Sequence, residues 1–444
     1  MNTTNEKKGL NISAKSFITA IIIIFVLMVL TYVLTCLVPG GEIPFWKWLL
    51  SPVLVLGAEG SGSLIAVIIF LLVLGGVFNN LDKCGLMKYM LDKIAMRFGE
   101  SKYQLMAVVT LFFMAMGSFI GSFEECVPLV PIVVVLAVNL GWDALVGVGM
   151  SLLAAGCGFA AGICNPFTIG VAQELAGLPM FSGMWFRAIC FGLIYTLLLI
   201  FLLCYAKKIE KVHTVGADEK QFVPNKQMDK ALICFVAIVA LGIVLVLSSV
   251  FVTVLQDYNM IIVAVMFLVA GVAATLIPGT KAKVLGITFW NGLVSVLPAV
   301  LMILMANSIK YTMTEAGILD IILKAAVNMA ATLPKWAVIL FIYLITLVMN
   351  FFIPSGSAKA FLMIPLMVPV AEVFGISAQL CVVAYAFGDG FSNVFYPTNP
   401  VLLISLGLAD VDYGTWAKWS GKFQLMNLAL TSALLLLGLM IGYC

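Results

Sequence analysis

Residues 387–400 read Phe-Gly-Asp-Gly-Phe-Ser-Asn-Val-Phe-Tyr-Pro-Thr-Asn-Pro and interrupt an apolar run that extends from about 377 to 408. The run is long enough to cross a bilayer, yet it carries a carboxylate at Asp389 and prolines at Pro397 and Pro400. Proline removes a helix hydrogen bond and forces its neighbours out of the helix. Because hydrocarbon offers no partner for freed backbone groups, such a break survives only inside protein or beside a wet cavity. The stretch therefore predicts a broken transmembrane helix that lines a site.

The composition of the whole chain excludes a water-soluble protein. Of its 444 residues, 63% are hydrophobic and 10% are charged, whereas soluble domains have about 45–50% apolar and about 25% charged residues. The net charge of +3 is too small to indicate a nucleic-acid partner, and the sequence has no Cys/His cluster typical of metal or redox chemistry. We therefore expect one polytopic α-helical bundle in a lipid bilayer, with no nucleic-acid partner and no resident cofactor.

Nine apolar runs reach the length of about 20 residues that a membrane span needs. They lie at about 16–38, 62–80, 144–177, 186–205, 231–251, 258–277, 288–309, 377–408 and 423–443. Two further apolar pairs, 104–140 and 337–374, each have two arms around a polar tip. Their second arms, Val127–Leu140 and Phe361–Phe374, have 14 residues each, which is about 21 Å of helix against a hydrocarbon core of about 30 Å. Both pairs are therefore predicted to be re-entrant hairpins.

The basic residues predict the orientation. With a cytoplasmic N-terminus and nine crossings, 18 of the 24 Lys and Arg residues lie in cytoplasmic segments and five in outer segments. This bias follows the positive-inside rule and supports both the number of spans and their direction. The segments Gly85–Phe98 and Gly317–Thr332 are amphipathic, and we expect them to lie at the membrane interface, one on each side.

An internal repeat relates the two halves of the chain. At a shift of 234 residues Asn165-Pro166 aligns with Asn399-Pro400, and the same offset pairs Pro131 with Pro365, Gly141 with Gly375, Gly156 with Gly390 and Trp185 with Trp419. Just upstream, a shift of 232 residues aligns Gly85-Leu86 with Gly317-Ile318. So many identities at one offset indicate a duplication.

The repeat predicts the domain organisation. Residues 1–205 form the first repeat, with a hairpin at 104–140 and a broken helix at 144–177, and residues 252–444 form the second, with a hairpin at 337–374 and a broken helix at 377–408. Residues 206–251 supply a cytoplasmic linker and an unmatched span, which inverts the second repeat relative to the first. Inverted repeats with discontinuous helices are typical of secondary transporters rather than of channels or intramembrane enzymes. We therefore expect a transporter and not an enzyme.

The tip of the first hairpin carries two carboxylates. It reads Gly117-Ser118-Phe119-Ile120-Gly121-Ser122-Phe123-Glu124-Glu125. Carboxylates at membrane depth need partners or a function. Glu124 and Glu125 can bind a cationic group, carry a proton, or cap the N-terminus of the second arm.

The tip of the second hairpin carries the opposite charge. It reads Asn350-Phe351-Phe352-Ile353-Pro354-Ser355-Gly356-Ser357-Ala358-Lys359, and the repeat makes Lys359 the counterpart of Glu125. The hydroxyls of Ser355 and Ser357 and the amides freed around Gly356 can face an anion at a helix N-terminus. Two interpretations of Lys359 stay open: it attracts a substrate carboxylate, or it pairs with Glu124, Glu125 or Asp389.

The two broken spans carry matching polar groups at their breaks, Asn165-Pro166-Phe167-Thr168 and Pro397-Thr398-Asn399-Pro400. Freed carbonyls and the Asn and Thr side chains are oxygen ligands for Na⁺ or for substrate groups. Asp389 and Asn393 lie just upstream of the second break. Four half-helix ends that converge from two inverted halves predict one binding site with both signs of charge, which suits a zwitterion or a carboxylate-bearing metabolite.

Four stretches of the sequence resemble a known family. They are Glu124-Glu125, GFAAGICNPFTIGVAQ around Asn165, IPSGSAKA at Pro354 and FGDGFSNVFYPTNP at Asp389. Together they resemble the anaerobic four-carbon-dicarboxylate carrier family of the ion transporter superfamily, from about Ser16 to the C-terminus. The most similar branch is that of the YfcC-like proteins, which are similar to arginine/ornithine and other amino-acid antiporters.

The resemblance implies a homodimeric secondary transporter of a bacterial cytoplasmic membrane, with a scaffold domain and an elevator-like transport domain coupled to Na⁺, H⁺ or a counter-substrate. With the breaks, it gives the candidate binding residues Ser122, Glu124, Glu125, Asn165, Pro166, Thr168, Ser355, Gly356, Ser357, Lys359, Asp389, Asn393, Thr398 and Asn399. Na⁺ is expected, if it binds, near Ser122, Asn165, Ser355 and Asn399.

The sequence departs from the family pattern at two places. The family usually has Gln or another neutral residue at the position of Lys359, and a Ser-Gly pair at the position of Asn399-Pro400. A fixed lysine charge can replace a coupling cation, which puts Na⁺ dependence in question. We expect transport of an amino acid or related carboxylate, because the site has three acids against one lysine. The alternative is a four-carbon dicarboxylate exchanger, which needs net positive charge in the site.

Overall fold

The computed structural model describes residues 14–38, 41–58, 61–90, 93, 101–121, 123–179, 181–210, 224–248 and 259–444. This part of the chain consists of helices, turns and short loops, without strands. Seven of its helices are long and apolar enough to cross a membrane. The all-α membrane fold predicted from the sequence is therefore confirmed.

The first half contains long helices followed by a hairpin and a broken helix. In chain order the α-helices are α1 (Ala14–Leu37), α2 (Phe45–Leu49), α3 (Ser51–Leu54), α4 (Ser61–Lys83), α5 (Lys102–Ala115), α6 (Val130–Asn139), α7 (Ala144–Val148), α8 (Ala154–Ala160), α9 (Val171–Leu175) and α10 (Met184–Ile209). Short 3-10 helices at Val55–Gly57 and Glu124–Leu129, and π-helical turns at Met116–Ile120, Gly149–Leu153 and Pro166–Gly170, join or continue them.

The second half repeats this order after one additional helix. Its helices are α11 (Lys226–Ser248), α12 (Asn259–Leu276), α13 (Ala282–Ser295), α14 (Leu297–Glu315), α15 (Ile318–Ala330), α16 (Lys335–Phe352), α17 (Gly356–Val373), α18 (Ala378–Asn393), α19 (Pro400–Leu408) and α20 (Tyr413–Met440). Helices α5 and α6 are the arms predicted for the first hairpin, and α16 and α17 are the arms predicted for the second. The first broken helix runs from α7 to α9, and the second consists of α18 and α19.

Glycines paired by the repeat adopt the same unusual backbone conformation. Gly141 has φ +89° and Gly375 has φ +66°, and each follows the second arm of its hairpin. Gly85 has φ +80° and Gly317 has φ +64°. A side chain is strained in this left-handed region and glycine is not, so the repeat preserves glycine where the chain turns.

The two broken helices cross each other through two contacts that are equivalent by the repeat. A Cβ placed on Gly156 would lie 2.3 Å from Val394 Cγ1, and one placed on Gly390 would lie 2.3 Å from the Ala160 nitrogen. A shift of 234 residues converts Gly156 into Gly390 and Ala160 into Val394. Each contact is thus the repeat image of the other, as a two-fold relation between the halves requires. Small residues at the crossing let the backbones approach closely.

The predicted hairpins also pack reciprocally, each against the broken helix of the other half. The second arm of the second hairpin, α17, packs against α9 of the first broken helix, and α6 of the first hairpin packs against α19 of the second. Likewise α1 contacts α14, whereas α4 contacts α12. Each half therefore completes the packing of the other, and the four helix breaks come together in one region.

The structure corrects two predicted boundaries. The second arm predicted for the second hairpin begins at Gly356, after Ser355 in an extended conformation, and has 18 residues instead of the 14 predicted. It is therefore one of the seven helices long enough to cross a membrane, and the length argument for re-entry does not hold for it. The predicted span 288–309 belongs to a 34-residue helical stretch, Ala282–Glu315. This stretch is interrupted at Val296, one residue before α14 begins with Pro298 in its first turn.

Of the two predicted amphipathic segments, α15 forms and buries one face through Ile318, Leu319, Leu323, Ala326 and Ala330. Its first-half counterpart is helical from Leu86 to Met90. Most of that predicted segment beyond Met90 lies outside the described residues.

Polar contacts at the helix ends join segments that the topology predicts on the same side. Lys102 pairs with Glu210, both in segments predicted to be cytoplasmic. Lys47 pairs with Glu315, both in segments predicted to lie outside. These contacts agree with the relative sidedness inferred from the basic residues.

Candidate functional site

A buried ion pair joins the second hairpin to the second broken helix. Lys359 lies in the first turn of α17, and Asp389 lies one turn before the end of α18. Lys359 Nζ donates to Asp389 Oδ1 over 2.6 Å, and both side chains are 0% exposed. Of the two interpretations that the sequence left open for Lys359, this structure shows the pairing, with Asp389 as the partner.

Two more oxygens complete the surroundings of the Lys359 ammonium group. It donates to Asn350 Oδ1 and, over 3.3 Å, to the carbonyl of Ile353. The ring of Tyr385 lies with its centroid 6.0 Å from Nζ, and the Tyr385 hydroxyl donates to the carbonyl of Gly356. An ammonium group has three N–H donors, and here three oxygens accept from it.

Asn350 orients this cluster through its amide nitrogen. Asn350 Nδ2 donates to Ser392 Oγ over 2.7 Å, to Asn393 Oδ1 over 3.0 Å and to the Asp389 carbonyl over 3.2 Å. Asn399 Nδ2 also donates to Asn393 Oδ1, over 2.9 Å. The network connects the end of α16, the end of α18 and the second break. Asn350 and Ser392, which were not among the predicted site residues, join the predicted residues into one polar unit.

Gly356 is the point where the second hairpin meets both broken helices. A Cβ at this position would lie 2.5 Å from Asp389 Oδ2 and 2.6 Å from Thr168 Cγ2. Only a residue without a side chain fits there. The structure thus brings Thr168 of the first half and Asp389 of the second half against the same turn of α17.

Three polar atoms at the breaks are buried without a hydrogen-bond partner among the described residues. They are Asp389 Oδ2, Thr168 Oγ1 and Thr398 Oγ1. Buried polar atoms are usually paired, so unpaired ones need an explanation such as a bound ion, water or substrate. All three belong to residues that the sequence predicted for the site.

The first break is held by the tip of the first hairpin. Ser118 Oγ donates to the Ala161 carbonyl and accepts from the Ile163 amide, each over 3.0 Å. The Cys164 amide donates to the Ser118 carbonyl over 3.3 Å. Ser118 belongs to the predicted tip but not to the predicted site residues. Only the structure shows that it hydrogen-bonds the backbone groups freed at the first break.

The two Asn-Pro pairs perform the same local task. Asn165 Oδ1 accepts from the Thr168 amide over 3.3 Å, and Asn399 Oδ1 accepts from the Val401 amide over 2.9 Å. Each asparagine therefore caps the half-helix that begins with its proline. In both breaks the cap uses one of the two lone pairs of the amide oxygen that was predicted as a ligand for Na⁺ or substrate.

Arg187 is a buried cation that sequence reasoning placed in an outer connecting segment. It lies in the first turn of α10 and is 2% exposed. Its Nε and Nη2 donate to the Ile163 carbonyl over 3.1 and 2.9 Å, and Nη1 donates to the Tyr443 hydroxyl over 3.3 Å. The signal available in the sequence was its rarity, since Arg97 is the one other arginine.

The remaining predicted residues are placed only in part. Ser122 and the side chains of Glu124, Glu125 and Pro166 lie outside the described residues, although the backbone of both glutamates begins the 3-10 helix Glu124–Leu129. Ser355 is exposed and Ser357 is half-buried. Neither serine joins the network around Lys359.

A family model described as "C4-dicarboxylate anaerobic carrier" matches residues 47–440. The chain belongs to the C4-dicarboxylate anaerobic carrier family. The resemblance noted in the sequence is thereby confirmed, and the protein is a multi-span membrane transporter by family.

Among its relatives is the putative basic amino acid antiporter YfcC of Escherichia coli K12. It is 27% identical over 405 residues, which cover 86% of this chain and 79% of the relative. An uncharacterized protein of Haemophilus influenzae is 26% identical over 380 residues, which cover 81% and 73%.

Among solved structures, the chain is similar to the YdaH transporter of Alcanivorax borkumensis. The TM-score is 0.50 at 20% identity, with 96% of this chain and 99% of the other covered. At this identity the likeness concerns the fold alone.

Proposed function

We propose that this protein is a secondary active transporter that moves an amino acid or a related carboxylate across a bacterial cytoplasmic membrane. The observation that carries the proposal is the Lys359–Asp389 pair, in which the lysine charge is already matched by a buried carboxylate. A dicarboxylate would need uncompensated positive charge in the site. Because Asp389 balances the charge of Lys359, the charges left in the predicted tips are those of the acids Glu124 and Glu125.

An amino acid fits this arrangement because it brings its own ammonium group. That group can be held by carboxylates, while its carboxylate can be held by amides and hydroxyls at half-helix ends. The relative described as a putative basic amino acid antiporter agrees with this choice. We therefore favour substrates with at least one cationic nitrogen.

The proposed mechanism is alternating access of elevator type, by exchange or with coupling to Na⁺ or H⁺. In this proposal the hairpins and broken helices form the moving domain, and the protein is a homodimer with a cytoplasmic N-terminus. Support comes from the reciprocal packing of the two halves and from the sidedness of the ion pairs. The site itself is proposed to comprise the predicted residues around the four breaks.

Exchange in proteoliposomes tests the function. Vesicles loaded with an unlabelled amino acid should take up labelled arginine, ornithine or a neutral amino acid, and empty vesicles should take up much less. We expect Glu125→Gln to lose most of the exchange, whereas Glu372→Gln, an exposed carboxylate near the far end of α17, should retain it. Exchange that is unchanged in Glu125→Gln would contradict the site assignment.

A four-carbon dicarboxylate exchanger is the second candidate, because the family description names these substrates. Thermal stability of the purified protein distinguishes the two. Amino acids should raise the apparent Tm while succinate, fumarate and malate leave it unchanged. A rise with dicarboxylates alone would reverse the ranking.

A further inference from the structure

We infer that the Lys359 ammonium group occupies a built-in site for a monovalent cation, and that removal of the lysine converts this place into a sodium site. The inference concerns coupling and rests on the proposed transport function only for its physiological meaning. The coordination chemistry stands on the structure alone.

The donor set around Lys359 Nζ is that of a small hard cation. It combines a carboxylate oxygen of Asp389 at 2.6 Å, the main-chain carbonyl of Ile353 at 3.3 Å and the amide oxygen of Asn350. Carboxylate, carbonyl and side-chain amide oxygens are the ligands that such ions take in proteins. In discontinuous transporter helices, unwound carbonyls and helix C-termini are the groups that coordinate Na⁺.

The carbonyl of Ile353 is available because a helix ends there. Helix α16 ends at Phe352, and Ile353 leaves the helical conformation with φ −125° and ψ 86°. Pro354 follows and has no amide hydrogen that could continue the helix. The hairpin tip therefore presents a main-chain oxygen at the C-terminal, negative end of a helix, where positive charge is favoured.

The other two oxygens are positioned before any ion arrives. Asn350 is held by donation from its amide nitrogen to Ser392 and Asn393, so its oxygen stays directed at Nζ. Asp389 keeps a second oxygen, Oδ2, without a hydrogen-bond partner among the described residues. A small cation in place of Nζ would thus find a carboxylate with spare coordination capacity.

A covalently attached cation changes what the transporter needs. A free ion binds and leaves, so its gradient can drive the cycle. Lys359 cannot leave, so the charge at this position travels with the protein and contributes no ion gradient. At this position the wild-type protein therefore needs no sodium, which leaves exchange against a counter-substrate or coupling at another place.

Removal of the lysine leaves Asp389 buried and without its counter-ion. An uncompensated buried carboxylate is strongly unfavourable, so the site will take up a cation or a proton. The oxygen ligands from three separate chain positions favour the cation. The double variant Lys359→Met/Asp389→Asn removes both the lysine and the carboxylate and is the matched control.

The experiment measures the apparent Tm of the purified full-length protein in NaCl and in choline chloride at equal ionic strength. Wild type should have the same Tm in both salts. Lys359→Met should show a saturable rise of about 2–4 °C in sodium, the size expected for roughly 1 kcal/mol of ligand stabilisation in a large domain. The double variant and the exposed-lysine control Lys335→Met should show no difference between the salts.

Three results would overturn the inference. The apparent Tm of Lys359→Met could be the same in sodium and in choline, this variant could be stabilised only by acid pH, or the double variant could retain the sodium response. Lys359→Gln serves as the second variant if Lys359→Met is not recovered. Folding of either variant only in sodium supports the inference, and failure of both to fold in sodium as well as in choline counts against it.

The readout is independent of the proposed function. A sodium response in Lys359→Met together with absence of amino-acid exchange in wild type would uphold the cation site and reject the transport assignment. Absence of a sodium response in Lys359→Met together with amino-acid exchange in wild type would reject the cation site and uphold the transport assignment.

Discussion

Lys359 Nζ lies 2.6 Å from Asp389 Oδ1, and neither side chain is exposed. The repeat places Glu125 and Ala155 at the corresponding positions of the first half. The pair therefore has no counterpart there, although the backbone crossing beside it at Gly156 and Gly390 is symmetric. The backbone is duplicated, but the charges are not. The second half supplies the ion pair, and the first half supplies the two adjacent glutamates, Glu124 and Glu125.

Asp389→Asn should destabilise the protein because it leaves the Lys359 charge buried without a carboxylate. Loss of one member of a buried pair costs about 3–5 kcal/mol. The apparent Tm in detergent should fall accordingly, and Lys359→Met/Asp389→Leu, which replaces both charges by apolar groups, should recover much of the loss. Glu372→Gln, an exposed site on α17, should change stability by no more than about 0.5 kcal/mol. A single variant as stable as wild type would show that the pair is not formed.

Gly356→Ala should overpack the junction of the second hairpin with the two broken helices. Its Cβ would lie 2.5 Å from Asp389 Oδ2 and 2.6 Å from Thr168 Cγ2, and overpacking of this kind costs about 1–3 kcal/mol. We expect a lower Tm and a larger loss of exchange than stability alone explains. Gly192→Ala has no atom within 4 Å of its Cβ and should be neutral or slightly stabilising.

The crossing of the broken helices predicts unequal effects at its two glycines. Gly390→Ala would meet the Ala160 backbone at 2.3 Å, whereas Gly156→Ala would meet the Val394 side chain at 2.3 Å. A side chain can be shortened and a backbone cannot. Val394→Ala should therefore rescue Gly156→Ala but not Gly390→Ala. Thermal unfolding of the single and double variants measures the coupling, which we expect to be about 0.5–3 kcal/mol for the Gly156–Val394 pair. Simple additivity there would argue against the crossing.

Arg187→Lys should loosen the first break while it keeps the charge. The guanidinium donates twice to the Ile163 carbonyl, and an ammonium on a flexible chain cannot reproduce this planar geometry. We expect a loss of about 1–3 kcal/mol in stability and an increase in the KM for exchange. Lys335→Arg, at an exposed position, is the control for a basic exchange. An unaffected KM would leave Arg187 with a purely structural role.

The contact between Lys102 and Glu210 predicts a small acid sensitivity. Hydrogen bonds from Lys102 and Tyr103 lower the pKa of the Glu210 carboxyl below its ordinary value of 4.5. A carboxyl with a lowered pKa in the folded state adds stability above its unfolded pKa and loses it as the pH falls through the folded value. Wild type should therefore lose more stability than Glu210→Gln when the pH is lowered from about 6 to about 3. Parallel stability curves would show that the contact contributes nothing, and high salt should reduce the difference because the pair is partly exposed.

Much of the fold could be predicted from the sequence, because hydropathy and proline act locally. Apolar runs separated by basic segments predicted the helices, and the Asn-Pro pairs predicted both breaks at the residues where the structure has them. The repeat predicted that Gly141 and Gly375 are equivalent, and both turn in the left-handed region. Such features depend on the residues themselves and on their neighbours in the chain.

The errors have physical causes as well. The sequence pattern places Gly356 to Lys359 in a polar tip, but the chain becomes helical at Gly356, and Lys359 lies in the first turn of that helix. The sequence pattern places Arg187 among the five basic residues of the outer segments. It is buried, and its guanidinium donates to the carbonyl of Ile163 at the first break, 24 residues earlier in the chain.

By itself the sequence determined that this chain is a membrane-embedded helical protein with an internal duplication, and that three of its four helix breaks carry charged residues. The tertiary structure decided which charges meet. Lys359 and Asp389 are 30 residues apart on different helices, and the sequence left Glu124, Glu125 and Asp389 all open as partners of Lys359. Proximity between helices depends on the packing of the whole bundle, here on the space that Gly356 leaves against Asp389 and Thr168. A buried lysine takes the carboxylate that this packing brings within hydrogen-bond distance, since a buried charge without a partner is too costly to persist.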